Sequence, residues 1–146
     1  QAAENPDVLR LSQRLQALDA DPATTHVAAY ERLQARQALQ ALEQARSSAR
    51  PAALKVAQAR VETAEVAAQT AVTQVEIDRL DRVILDAVQR RTQVSKAIGK
   101  TRMGSGGTRL VHTREVAIIN QFREELGDEG PALASILLRL GRGRLG

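Results

Sequence analysis

Two arginines on the apolar side of a predicted helix are the first residues in this sequence that could do chemistry. At about 100° per residue, Arg91 and Arg102 fall on or beside a line of mostly aliphatic side chains, namely Ile77, Leu80, Ile84, Val88, Ser95 and Ile98. A guanidinium in an apolar setting is costly unless it meets an anion. Its planar fork donates two parallel hydrogen bonds to a carboxylate. Together with Arg114, which follows a glycine-rich segment, they predict a site for a small anionic molecule.

Simpler interpretations of these residues stay open at this point. Arg91 or Arg102 could extend its charged end to the surface or pair with a core acid. Glu115, next to Arg114, could be a first-turn acid that stabilises the N-terminus of its helix.

The charge pattern adds a third hypothesis. The whole net charge of +4 lies in residues 75–146, and between residues 90 and 114 there are seven cations and no acid. Such a stretch requires an anionic partner or good solvation. A nucleic-acid binder would use these cations, but the chain has only Tyr30 and Phe122 for stacking on bases and carries no recognised motif.

Several classes of function are disfavoured by composition. The chain has no cysteine, which excludes disulfides and thiolate metal sites. His26 and His112 lie far apart, without the local spacing of a metal site, so no metal is expected. No apolar run approaches the length of about 18 residues that a membrane span requires. Because Gln1 is not an initiator residue, a leader could have been removed before it.

The elements that must position the arginines are all predicted to be helices. Strong helix formers dominate, and no alternating apolar pattern indicates a strand. Helices are expected over residues 8–18, 27–47, 51–103, 111–126 and 131–140, separated by breaker-rich segments, with Pro51 and Pro131 each opening a helix. The fold class is therefore all-α.

Five segments of the C-terminal half resemble the AroQ chorismate mutases. They are residues 76–81 (EIDRLD), 90–91 (RR), 96–102 (KAIGKTR), 108–115 (TRLVHTRE) and the tail 137–146 (LLRLGRGRLG), the last similar to the short actinobacterial subclass. The resemblance implies a three-helix mutase fold with one long and two shorter helices. It also implies the Claisen rearrangement of chorismate to prephenate, without a cofactor or a covalent intermediate.

The resemblance also implies roles for individual residues. Arg91 and Arg114 would each bind one substrate carboxylate, Arg102 would lie by the ether oxygen of the breaking bond, and Glu115 would accept a hydrogen bond from the substrate hydroxyl. Two further side chains would line the pocket, Thr108 and Val111.

Two positions differ from the common family pattern. Gln74 stands where an arginine of the family reaches into the site of the partner subunit, so the resemblance implies a homodimer. In that dimer Gln74 can donate a hydrogen bond but brings no charge. Many relatives place a Gln or Glu of the last helix at the ether oxygen, whereas this tail offers Gly141, Arg142 and Leu145. Arg142, Arg144 and Leu145 are also the expected contacts with a partner protein. In the actinobacterial subclass such a tail implies contact with DAHP synthase.

The N-terminal half contains no catalytic constellation. Residues 28–39 and 56–64 look like the Ala-rich helical hairpin that precedes OmpA-like envelope domains. That resemblance implies a periplasmic location, whereas the mutase half implies a cytoplasmic one. Because the two halves resemble different families, the chain is interpreted as a hairpin domain (1–74) joined to a mutase domain (75–146). The alternative function is a non-catalytic helical envelope module with an inactive mutase-like half.

Overall fold

The computed structural model describes the backbone of residues 5–102 and 108–142, and side chains over 5–100 and 111–142. In those residues every regular element is helical. The α-helices are α1 (Pro6–Ala20), α2 (Ala29–Gln44), α3 (Arg50–Arg102), α4 (Thr108–Leu126) and α5 (Gly130–Arg142), with a 3₁₀ turn at Gly127–Glu129. The prediction of an all-α chain with one long and two shorter helices in its C-terminal half is confirmed.

The chain divides into two compact units, residues 1–79 and residues 80–146. In the N-terminal unit, α1 and α2 pack with the first part of α3 around one aliphatic core, formed by Leu11, Leu15, Ala35, Leu39, Leu42, Ala57, Val61 and Ala64. Small side chains at residues 57, 64 and 68 let α3 approach closely. Arg14 of α1 binds Glu65 of α3 with two hydrogen bonds, which raise the pKa of the Arg14 guanidinium.

A buried arginine organises the connection between α1 and α2. Arg32 is only 8% exposed, and it donates to Asp19 Oδ1 at 2.7 Å and to the carbonyl oxygens of Val27 and Thr25, each at 2.9 Å. Every arm of its guanidinium therefore has an acceptor, as burial of the charge requires. Ala28 adopts a left-handed backbone (φ 53°), so α2 begins at Ala29, two residues later than the sequence predicts.

In the C-terminal unit, α4 and α5 pack against each other across the 3₁₀ turn. The turn depends on Gly130, where a Cβ atom would lie 2.1 Å from the carbonyl oxygen of Phe122. No side chain fits at that separation, so the glycine allows α5 to start directly against the end of α4. Arg91 of α3 reaches α5, where its Nη1 donates to the carbonyl oxygen of Leu137 at 3.2 Å.

The apolar stripe of α3, which is the line of aliphatic side chains beside Arg91, is largely exposed, with Val88 half-buried. Ile77 is 45% exposed, Leu80 43%, Ile84 57% and Ile98 46%. Among the described side chains of residues 80–142, only Ala134 and Leu137 are buried hydrophobic residues. Packing within one chain therefore leaves many large hydrophobic side chains in the described part of this unit exposed.

Candidate functional site

A cleft of about 650 Å³ opens among the second half of α3, α4 and α5. This volume lies in the range of small-molecule sites, roughly 300–1,000 Å³. Apolar side chains form much of its wall, and a few charged groups converge on it. The lining residues are Arg91, Val94, Ser95, Ile98, Gly99, Val111, Arg114, Glu115, Ile118, Leu138, Gly141 and Arg142.

Arg91 enters the cleft from α3 in a half-buried position. Its hydrogen bond to the Leu137 carbonyl oxygen fixes one arm of the guanidinium while leaving its charge uncompensated. No carboxylate in the described part of the chain forms an ion pair with it. The fork of Arg91 is thus held in place with donors available for an anionic ligand.

Arg91 owes its position to a close contact between two helices. A Cβ atom at Gly141 of α5 would lie 2.5 Å from Ser95 Oγ and 2.9 Å from Ser95 Cβ on α3. Only a residue without a side chain fits there. Ser95 follows Arg91 by about one helical turn, so this contact and the Arg91 hydrogen bond hold α5 at the same stretch of α3.

Glu115 of α4 forms a bidentate ion pair with Arg142 in the last turn of α5. Arg142 Nε donates to Glu115 Oε1 at 3.1 Å, and Nη2 donates to Oε2 at 2.6 Å. The Glu115 side chain is 22% exposed and that of Arg142 53%. These hydrogen bonds, and then the negative charge of Glu115, raise the pKa of the Arg142 guanidinium.

The position of Glu115 settles one open interpretation. Because α4 begins at Thr108 and not at residue 111, Glu115 lies beyond the first turn, which contains no acid. The interpretation of Glu115 as a first-turn acid is therefore wrong. The influence of a helix end falls off within its first turn.

Arg114, beside Glu115, also lines the cleft, and no described carboxylate pairs with it. Since Arg142 and Glu115 compensate each other, two positive charges stay uncompensated among the described lining residues, those of Arg91 and Arg114. The lining is therefore electrostatically suited to a small molecule with two negative charges.

The structure brings four of the predicted substrate-site residues together and places a fifth elsewhere. Arg91, Val111, Arg114 and Glu115 share the cleft, whereas Gln74 belongs to the N-terminal unit and donates from Nε2 to Asp78 Oδ1 at 3.0 Å. The remaining predicted residues fall outside what the structure describes: the side chains of Arg102 and Thr108, and all of Arg144 and Leu145.

Some lining residues were missed by sequence reasoning. Arg142 was predicted as a partner contact and as a tail residue in place of the usual Gln or Glu, and it lines the cleft, where it pairs with Glu115. Ser95 was not predicted as a site residue, and Gly141 was noted only among the tail residues that stand where relatives have a Gln or Glu. Ser95 shares the helical line of Arg91, which was a usable signal, but nothing local to Gly141 or Arg142 indicates what they meet.

The described residues also bear on metal sites and on membrane-spanning helices. Within the described ranges, no group of three or more His, Asp or Glu side chains is placed to hold a metal ion. In the same residues, none of the helices combines the length and apolarity needed to cross a bilayer.

Comparisons with known proteins match the half of the chain that holds the cleft. Residues 74–140 match the family model of chorismate mutase type II. The intracellular chorismate mutase of Mycolicibacterium smegmatis is 65% identical over 71 residues, which is 49% of this chain and 68% of the relative. That of Mycobacterium tuberculosis is 66% identical over 71 residues, which is 49% of this chain and 67% of the relative.

A solved structure gives the same result at the level of the fold. A chain in the non-covalent complex of DAHP synthase and chorismate mutase from Corynebacterium glutamicum, with a bound transition state analog, is 75% identical. It aligns with a TM-score of 0.50 over 54% of this chain and 95% of that chain. The match to the Mycolicibacterium smegmatis relative is 65% identical and covers 68% of that protein, and the family model matches the same half of the chain. The chain therefore belongs to the chorismate mutase type II family.

Proposed function

We propose that this protein converts chorismate to prephenate by a Claisen rearrangement, as an isomerase in the biosynthesis of phenylalanine and tyrosine. The observation that carries this proposal is the pair of uncompensated guanidiniums, Arg91 and Arg114, in one cleft of about 650 Å³. Chorismate carries two carboxylates, and two separate forks can each bind one of them through parallel hydrogen bonds.

The chemistry asked of the protein is modest. A pericyclic rearrangement needs neither a base nor a nucleophile. Holding the reactive conformer removes an entropic part of the barrier. Arg91, fixed by the Leu137 carbonyl oxygen, supplies that restraint at one carboxylate, and Arg114 supplies it at the other.

Charge develops on the ether oxygen as its bond to carbon breaks. We assign its stabilisation to Arg102, which lies on α3 eleven residues beyond Arg91. A donor there accelerates the reaction to the extent that it binds the transition state more tightly than the substrate. Glu115 accepts a hydrogen bond from the substrate hydroxyl, and this contact orients the ring.

A homodimer is part of the proposal. The C-terminal unit buries only two described hydrophobic side chains, too few for a stable small domain. The exposed stripe of α3 supplies the surface that a second copy would cover. In such a dimer, we place Gln74 of one protomer at the site of the other, where an amide replaces the guanidinium that the family usually has.

The relatives support a proposal for the partner and the location. The similar Corynebacterium glutamicum protein is in a complex with DAHP synthase. We propose that the tail of this chain, with Arg142, Arg144 and Leu145, contacts a DAHP synthase in the same way. The mycobacterial relatives are named intracellular, which supports a cytoplasmic location.

We retain residues 75–146 as the catalytic domain. The family model matches residues 74–140 and therefore does not test the N-terminal half. The resemblance of that half to an envelope hairpin stays a prediction.

Prephenate formation by the full chain tests the proposal directly. The loss of chorismate absorbance is followed, and the product is identified by its acid-catalysed conversion to phenylpyruvate. Q74R should raise kcat/KM about tenfold or more, because a charged hydrogen bond contributes about 1.5–3 kcal/mol. Q69R, which adds the same charge at an exposed position of α3, is the matched control and should change little.

The outcomes separate the parts of the proposal. No prephenate from the purified chain would refute the activity. Equal activity of Q74R and the parent chain would refute the role of position 74. A strictly monomeric mass in light scattering at assay concentrations would refute the dimer.

A further inference from the structure

We infer that Arg142 is a positioning residue for the reaction, holding the Glu115 carboxylate in the orientation in which it receives the substrate hydroxyl. This inference rests on the proposed function. It is carried by the bidentate pair itself, with both nitrogen–oxygen contacts at hydrogen-bond distance and both residues on the wall of the same cleft.

The Glu115 carboxylate needs such a restraint. Glutamate has three rotatable side-chain bonds, and a free carboxylate at a cleft wall would sample several orientations. Two parallel hydrogen bonds from a planar fork leave essentially one. In the part of the chain that the structure describes, no other side chain donates to Glu115.

The pair leaves the carboxylate competent to act. Two carboxylate oxygens offer about four acceptor sites, and the fork occupies two of them. One lone pair on each oxygen therefore stays available for a hydroxyl group. Arg142 thus orients the acceptor without consuming it.

Arg142 is held in turn by the residue before it. Gly141 packs directly against Ser95, which fixes the last turn of α5 on α3. The chain of contacts runs from α3 through α5 to Glu115 on α4, so all three helices of the cleft define where the carboxylate lies. A direct contact between Arg142 and a substrate carboxylate is the competing role, since its side chain is half exposed.

A double-mutant cycle with R142M, E115Q and the double variant distinguishes these roles. In the parent chain, R142M should lower kcat about tenfold, the lower end expected for a charged hydrogen bond at a half-exposed site, with KM changed less than about twofold. In the E115Q background, R142M should lower kcat by no more than about twofold, because the group it positions is altered. R139M, an exposed arginine one turn earlier on α5, should leave kcat unchanged.

Each alternative result has one meaning. Equal loss in both backgrounds, or a rise in KM at constant kcat, would show direct contact with the substrate and overturn the positioning role. A kcat for R142M equal to that of the parent, or an equal loss in R139M, would overturn it as well. Thermal unfolding monitored by circular dichroism should agree within a few degrees for all variants, since the pair is surface-accessible. A parent chain without turnover would overturn the proposed function, and the positioning role with it.

Discussion

The contact between Gly141 and Ser95 allows a sharp prediction about the substitution G141A. The added Cβ would lie 2.9 Å from Ser95 Cβ and 2.5 Å from Ser95 Oγ. Unstrained carbon contacts lie at about 3.5–4.0 Å, so the end of α5 must move away from α3 by about 1 Å. The 3.2 Å hydrogen bond from Arg91 to the Leu137 carbonyl oxygen would not survive such a shift.

The expected effects are on both folding and catalysis. Overpacking of this kind destabilises by about 1–3 kcal/mol. Misplacing Arg91 by about 1 Å should lower kcat/KM on the order of 10- to 100-fold. Chorismate consumption under steady-state conditions measures the second effect, and urea denaturation followed by circular dichroism measures the first.

Two companion variants make the test specific. G99A adds a methyl group where no atom lies within 4 Å, so it should be neutral for folding or stabilise by up to about 1 kcal/mol through helix propensity. S95G removes both atoms that the new Cβ would meet. In the S95G background, G141A should therefore lose far less activity than it does in the parent chain. If G141A alone keeps both the kcat/KM and the unfolding midpoint of the parent, the close approach of α5 to α3 is refuted.

Three further predictions concern other parts of the molecule. R91M should lower kcat/KM by about 10- to 150-fold, because a charged hydrogen-bond donor is lost. R90M changes the exposed neighbouring arginine and should alter kcat/KM by no more than about twofold. Equal losses in the two variants would contradict the assignment of Arg91 to the cleft. L42A should cost about 2–5 kcal/mol in urea denaturation, because that side chain is 1% exposed. The hydrogen bonds from Arg79 lower the pKa of the Glu76 carboxyl below its ordinary 4.5, so the stabilisation from this pair is present above that pH and is lost as the pH falls through the folded pKa. An NMR titration should find the Glu76 pKa raised in R79M, and an unchanged value would show that the pair does not form in solution.

Local signals located most of the helices. The breaker Pro51 predicts the start of α3 to within one residue, and the absence of Gly or Pro until Gly99 predicts its length, because helix formation depends on neighbours a few residues apart. The start of α2 was misjudged because it depends on side-chain contacts with the preceding loop. α2 begins at Ala29 and not at residue 27 because Ala28 adopts a left-handed backbone beside the buried guanidinium of Arg32.

The sequence by itself determined which groups are available: a helical chain, three arginines that are predicted to bind a small anion, and a segment dense enough in motifs to indicate the family. The tertiary structure decided where those groups lie and what they contact. The pairing of Arg142 with Glu115, the contact of Gly141 with Ser95 and the hydrogen bond from Arg91 to Leu137 all depend on how α5 folds back onto α3 and α4. The residues that meet there are separated by 27 to 46 positions in the sequence. Helical periodicity carries no information over such separations, because it reports only which face of one helix a residue occupies.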